Sequence, residues 1–327
     1  MQKISLLVLL LAELLQGFII TAGEFEVQKY PSIYSFHNAK PKTVTVPITE
    51  VLQSKSKNTN GVTMWITPEW NEKWYDSKTV QKDIIDRGYT PVFIFYYFAD
   101  NISVQYIHKK QAGYFKHLKR FLQFLKKLDG KKIVILNPEY NENGVEHYKG
   151  MNNIFLKSFQ ILRNDSQVLV GPCVGDFGNY NKVNEPEEWK LFNPSLKTAM
   201  KKADFIAFQE MRALTRNKPQ QILNTPKRAY NLAKYLHTKY HKPTMLAYLA
   251  ISSYGKNGNS LQAKVYKGFV KYLPKMKKDA SLSLFGTFHY FDYPNHKGYF
   301  KQAEKFFGVL TKDGTLKPSF KYYNMLH

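Results

Sequence analysis

The sequence predicts a single (β/α)8 barrel, a TIM barrel, and three observations predict it. Short runs that are apolar throughout recur roughly every 35 to 40 residues. Amphipathic helical patterns fill the gaps between them. The residues that close each run are carboxylates, amides and aromatics, not only turn formers. Strands that are apolar on both faces and alternate with helices indicate a parallel sheet covered by helices.

In chain order, the strand-like runs are 62–66, 91–98, 132–136, 168–174, 205–208, 244–251 and 284–291. An eighth is expected before them at 43–48, which completes the barrel count. Residues 112–128 place Phe115, Leu118, Leu122, Leu125 and Leu128 on one stripe, and Gly130 stops that helix. Thr225 before Pro226 reads as an N-cap with proline at the first helical position. Ala229, Leu232, Ala233 and Leu236 are the buried face behind it. Ser260 opens a further helix with Val265, Phe269 and Leu273 inward. A doubly wound open sheet is the alternative, but no strand is followed by the GxGxxG turn of a dinucleotide fold.

The domain plan is a leader over 1–22 followed by one barrel domain over 23–327. Lys3 precedes apolar residues 4–15 and 16–20, and the small residues Thr21, Ala22 and Gly23 follow. That order predicts a secretory signal cleaved near Ala22 or Gly23, and a secreted or periplasmic product. The run is interrupted by Glu13 and falls short of the about 20 apolar residues that a membrane span needs. No stable membrane insertion is therefore expected after cleavage. The lone cysteine, Cys173, excludes a disulfide framework and any multi-cysteine metal site. A core of this size folds without such staples. No His/Asp spacing has the pattern of a metal site, so neither metal nor cofactor is expected. Ser252-Ser253 lacks the GxSxG elbow of a serine nucleophile. The expected state is a monomer.

The net charge of +23 comes from 48 basic residues, of which only six are arginine. The lysines stand singly or in pairs on helix-like faces, with no Arg-rich run, zinc finger or RNA-binding aromatic motif. This excludes a dedicated nucleic-acid partner and predicts a solvated lysine surface. The sharper alternative is a field that attracts an acidic polymer.

A barrel carries its function at the C-terminal ends of its strands. Those ends read TPEW (67–70), FADN (98–101), NPEYNE (137–142), GDFG (175–178), QEMR (209–212), SSYG (252–255) and HYFDYP (289–294). Burying unpaired carboxylates is costly, so folding alone does not gather them at one end. With these ends, the sequence resembles the glycoside hydrolase barrels, and the resemblance implies glycoside cleavage, which needs two carboxyls, one protonated and one ionised. Glu139 and Glu210 are the candidate catalytic pair, with Asp176, Asp292, Glu69 and Glu142 in reserve. Trp65, Trp70, Trp74 and Tyr75, and Tyr290, Phe291, Tyr293 and Tyr299, offer flat faces on which sugar rings stack. Asn137, Trp65, Trp70, Tyr248, Asp176, His289, Tyr290 and Asp292 are the candidate substrate-binding residues, for a carbohydrate.

The resemblance is in particular to the retaining clan of cellulases and β-mannanases. If 43–48 is strand one, Asn137-Pro138-Glu139 ends strand four, where that clan carries its acid/base. NPEYNENG is similar to the strand-four motif of the family-26 mannanases, with Tyr140 and Asn141 standing in place of their His-Glu pair. GVLTKDGTLKPSFKYY (308–323) resembles the usual end of such barrels. The resemblance implies a Glu nucleophile on strand seven, about five residues after a Lys-Pro; here Lys242-Pro243 leads to Tyr248. Two functions are thus expected: a glycosidase acting on a polysaccharide or oligosaccharide, or a non-catalytic carbohydrate-binding barrel.

Overall fold

The computed structural model describes residues 17–24, 30–32, 44–72, 75–98, 100 and 102–327. Eight parallel strands close into a barrel: β1 (Ile19–Glu24), β2 (Gly61–Ile66), β3 (Thr90–Phe95), β4 (Lys132–Leu136), β5 (Val168–Gly175), β6 (Ile206–Arg212), β7 (Thr244–Ile251) and β8 (Leu282–Thr287). The fold is a (β/α)8 barrel.

One strand is not where the sequence reading put it. Residues 44–46 pair antiparallel with 30–32, outside the barrel. The first barrel strand is β1, which pairs parallel with β8 through Ile19–Leu284 and with β2 through Ala22–Val62. Gly23 is locked into this position: a Cβ there would lie 2.1 Å from the Phe288 carbonyl oxygen. Hydrogen bonds from the Thr63 hydroxyl to that of Thr21 (2.7 Å) and from Gly23 N–H to the Thr287 hydroxyl (3.1 Å) stitch β1 to both neighbours. A boundary at 22–23 falls inside this strand, so a cut there would remove four of its six residues. Residues 1–16 of the expected leader lie outside the described residues, as does Trp74.

The helices cover the barrel as expected, with shifted starts. The first long one is α1 (Val104–Leu125), eight residues longer at its front than the apolar stripe suggests, because the Ser103 hydroxyl caps the Tyr106 N–H at 3.1 Å. It is followed by α2 (Lys149–Leu162), α3 (Thr225–Tyr240) and α4 (Gly258–Ala280). Thr225 does not cap α3; its hydroxyl donates to the Ile222 carbonyl instead. Among the described residues, no helix is long and apolar enough to cross a membrane.

Two apolar layers result. Phe93, Phe95, Val134, Leu136, Val170 and Leu246 face outward into the helices. Ile133, Ile135, Cys173, Ala207, Met245 and Leu284 fill the barrel's interior. Strand alternation therefore decides, residue by residue, which end groups reach the mouth.

Candidate functional site

The loop after β4 shows what NPEYNENG is for. Asn137 and Glu139 adopt left-handed backbone, with φ of 49° and 64°. Such conformations are uncommon outside glycine and persist where surrounding contacts impose them. The contacts come mostly from the amides. Asn141 clamps the end of β5 twice, accepting from Gly175 N–H at 2.6 Å and donating to its carbonyl at 2.9 Å. Asn143 donates to the Ile102 carbonyl, and the buried Tyr140 shares a hydrogen bond with Ser195. Asn137 turns outward and donates to Tyr114 of α1 at 3.1 Å. The amides thus hold the loop, and Asn137 is not a mouth residue.

Held in this way, Glu139 turns over the barrel. Its Oε1 accepts from the Tyr248 hydroxyl at 2.5 Å, a bridge from strand four to strand seven. Burial pushes its carboxyl up to about 7; the Tyr248 bond opposes that rise, and the charges of Asp100, Glu142 and Glu304 add to it. Burial and the same Glu139 charge push the Tyr248 phenol well above its ordinary range, so it stays a neutral donor.

Aromatics wall this pair. The Trp65 ring lies 5.2 Å from Tyr248, 5.6 Å from Tyr96 and 5.3 Å from Phe288. The Tyr96 hydroxyl donates to Asp100 at 2.5 Å. His289 packs on Phe288 at 4.5 Å and is held neutral by burial and by neighbouring His296. His296 in turn pairs with Glu304 at 2.9 Å, whose other oxygen accepts from Phe300 N–H at 2.7 Å. Tyr96, Phe288 and Glu304 did not stand out in the sequence. Tyr96 sits within the aromatic run FIFYYF, and Glu304 is 17 residues beyond β8.

Glu210 does not join Glu139. On β6, Phe205 and Ala207 face inward, and Glu210 falls on the outer face between barrel and helices. Its Oε2 takes a hydrogen bond from Arg212 at 2.7 Å, and Asp176 is bound by both nitrogens of an Arg228 fork from α3, at 2.5 and 2.8 Å. Burial, then Asp176, raise the Glu210 carboxyl well above its usual range. Neither Glu139 nor Glu210 ranks among the charges acting on the other. Asp176 is therefore also absent from the mouth. The reason is the two-residue period of a strand, which sends alternate side chains to opposite faces.

Four other candidates sit elsewhere. Trp70 packs edge-on against Phe121 and Phe124 of α1. Tyr290 packs edge-on against Phe320 and Tyr323. Asp292 is tied to Lys317 at 2.5 Å. Glu69 is exposed. Of the sequence-derived candidates, the structure brings together Glu139, Tyr248 and Trp65, with His289 beside them.

One consequence is measurable without a substrate. Glu139 has a weaker acidity folded (about 7) than its ordinary 4.5, so its favourable contribution is full below 4.5 and lost as pH rises through 7. Glu139→Gln, which cannot ionise, should unfold at a higher temperature than the wild type at pH 8 and near the same temperature at pH 4. Thermal unfolding at the two pH values checks this; a difference that does not change with pH would contradict the assigned ionisation.

No family model and no curated protein matches this chain. Solved structures do. An endoxylanase of glycoside hydrolase family 10 from a sugarcane soil metagenome superposes with a TM-score of 0.60 at 10% identity, covering 95% of this chain and 97% of the xylanase. A fungal β-1,4-galactanase structure gives 0.61 at 10% identity, over 94% and 98%. A thermostable xylanase mutant from Cellvibrio japonicus gives 0.57 at 10%, over 96% and 98%. The chain shares the barrel fold of these glycoside hydrolases.

Proposed function

We propose that the chain is a glycoside hydrolase in which Glu139 is the general acid/base. The observation that carries the reading is the Glu139–Tyr248 bridge at the barrel mouth, with a carboxyl poised near neutrality. An acid of that strength both holds and releases a proton at working pH, as leaving-group protonation requires. Trp65, Tyr96 and Phe288 supply the wall for a sugar ring. The second carboxylate comes from the three whose charge reaches Glu139, and Glu304 suits it best, being fixed by Phe300 N–H and His296. The structural neighbours, xylanases and a galactanase, support a glycan substrate.

Tyr248 favours a second reading, a non-catalytic glycan-binding barrel. It is fully buried and occupies the place where the clan resemblance implies a carboxylate nucleophile. A screen of soluble glycans for binding and cleavage separates the two. Cleavage that Glu139→Gln abolishes establishes the hydrolase; glycans that bind and are never cut establish the binding barrel.

Under the hydrolase reading, Tyr248 tunes the acid. Its hydrogen bond holds the Glu139 carboxyl down against burial, so Tyr248→Phe raises it further. The alkaline limb of the rate profile, where the acid loses its proton, should then move to higher pH. A limb that stays in place would remove Tyr248 from the tuning of Glu139. Export is proposed alongside, with any cleavage falling before β1.

A further inference from the structure

The mouth has an excess of hydrogen-bond acceptors and negative charge, in a protein that is otherwise strongly basic. Asp100, Glu142 and Glu304 are the strongest charges acting on Glu139, and Asp100 and Glu146 those acting on Glu142. Among the described residues, no lysine or arginine stands among the strongest charges acting on Glu139 or Glu142.

A second observation is independent of charge. Gln209 follows Phe205 and Ala207 on the inward face of β6 and stands in register with Tyr248 on β7 and Gly175 on β5. Its side chain is 3% exposed, and its Oε1 has no hydrogen-bond partner among the described residues. A buried acceptor left unmade is costly, which is tolerated where a ligand donor completes it. Directly beside the Glu139–Tyr248 bridge, this amide awaits a donor.

We infer that the sugar taken at this mouth carries a free amine, that is, a 2-amino-2-deoxy glycan rather than a neutral or acidic one. The inference rests on the carbohydrate reading above and names its substrate class. A protonated amine supplies the positive charge that the carboxyls lack and N–H donors for the Gln209 oxygen. A uronate or sulfate would meet the like charges of Asp100 and Glu142 instead, with Glu304 already paired to His296. A neutral sugar would fill the aromatic wall and leave the charge unanswered.

The test is calorimetric titration at pH 6 with four oligomers of equal length: glucosamine, N-acetylglucosamine, glucose in β-1,4 linkage, and galacturonate. Glucosamine oligomers should bind at least about tenfold more tightly than the others, the equivalent of one charge-assisted hydrogen bond. That preference should shrink in high salt. Gln209→Leu should weaken glucosamine binding about tenfold while leaving Tm unchanged or higher, because it removes an unpaired buried acceptor rather than a bond. A purely structural Gln209 would lower Tm instead, and that result overturns its assigned role. Equal or stronger binding of the neutral, acetylated or acidic oligomers overturns the substrate class while leaving the carbohydrate reading intact. Failure of all four to bind, together with silence in the wider glycan screen, removes both.

Discussion

Glu139→Gln should lower kcat by about 10²–10⁴-fold while leaving glycan affinity within a few-fold of wild type, since general acid–base assistance is worth that much. The substitution keeps the shape and an oxygen to accept from Tyr248, so the bridge that positions the loop survives. It removes only the proton. The companion measurement is the pH profile: wild-type turnover should fall as pH rises through about 7, where Glu139 ionises, and the residual activity of the variant should lack that limb. Turnover unchanged by Glu139→Gln would take this carboxyl out of the chemistry, whatever its ionisation. Conservation of both binding and fold is checked by titration and by circular dichroism on the same samples.

How much of this was legible beforehand divides along a physical line. Strand positions were legible because runs buried on both faces are apolar throughout, and seven of the eight fell close to where the pattern put them. The eighth was hidden because IITAGE directly continues the apolar leader-like run. A buried strand and the apolar part of a signal share one composition, so nothing local separates them. Glu139 was legible from its place after strand four. Glu210 and Asp176 were misjudged because the end of a strand is visible in sequence but its facing is not. One residue of offset moves a side chain from the mouth to the helix layer. At β6, a register shift between Phe208 and Gln209 adds to that ambiguity. Glu304 was invisible for another reason: it reaches the mouth from a short 3₁₀ turn, where neither periodicity nor a strand end marks it.

The carboxyls that left the mouth make the largest stability prediction. Asp176, Glu185 and Glu210 are buried with Arg212 and Arg228, three acids against two bases. A proton on Glu210 balances the set at two against two, which agrees with the strong rise that burial and Asp176 impose on it. Arg228 is the hub, bidentate to Asp176 and paired with Glu185 at 2.9 Å. Removing one partner of a buried ionic set strands the others, at a cost of about 3–5 kcal/mol. Arg228→Met should therefore lower Tm by roughly 4–7 °C. Glu210→Gln replaces a group that is already neutral, so it should cost far less and spare any glycan activity. The two variants measured together decide the matter. Were Glu210→Gln as damaging as Arg228→Met, Glu210 would be an ionised member of the network, and the charge balance drawn here would be wrong.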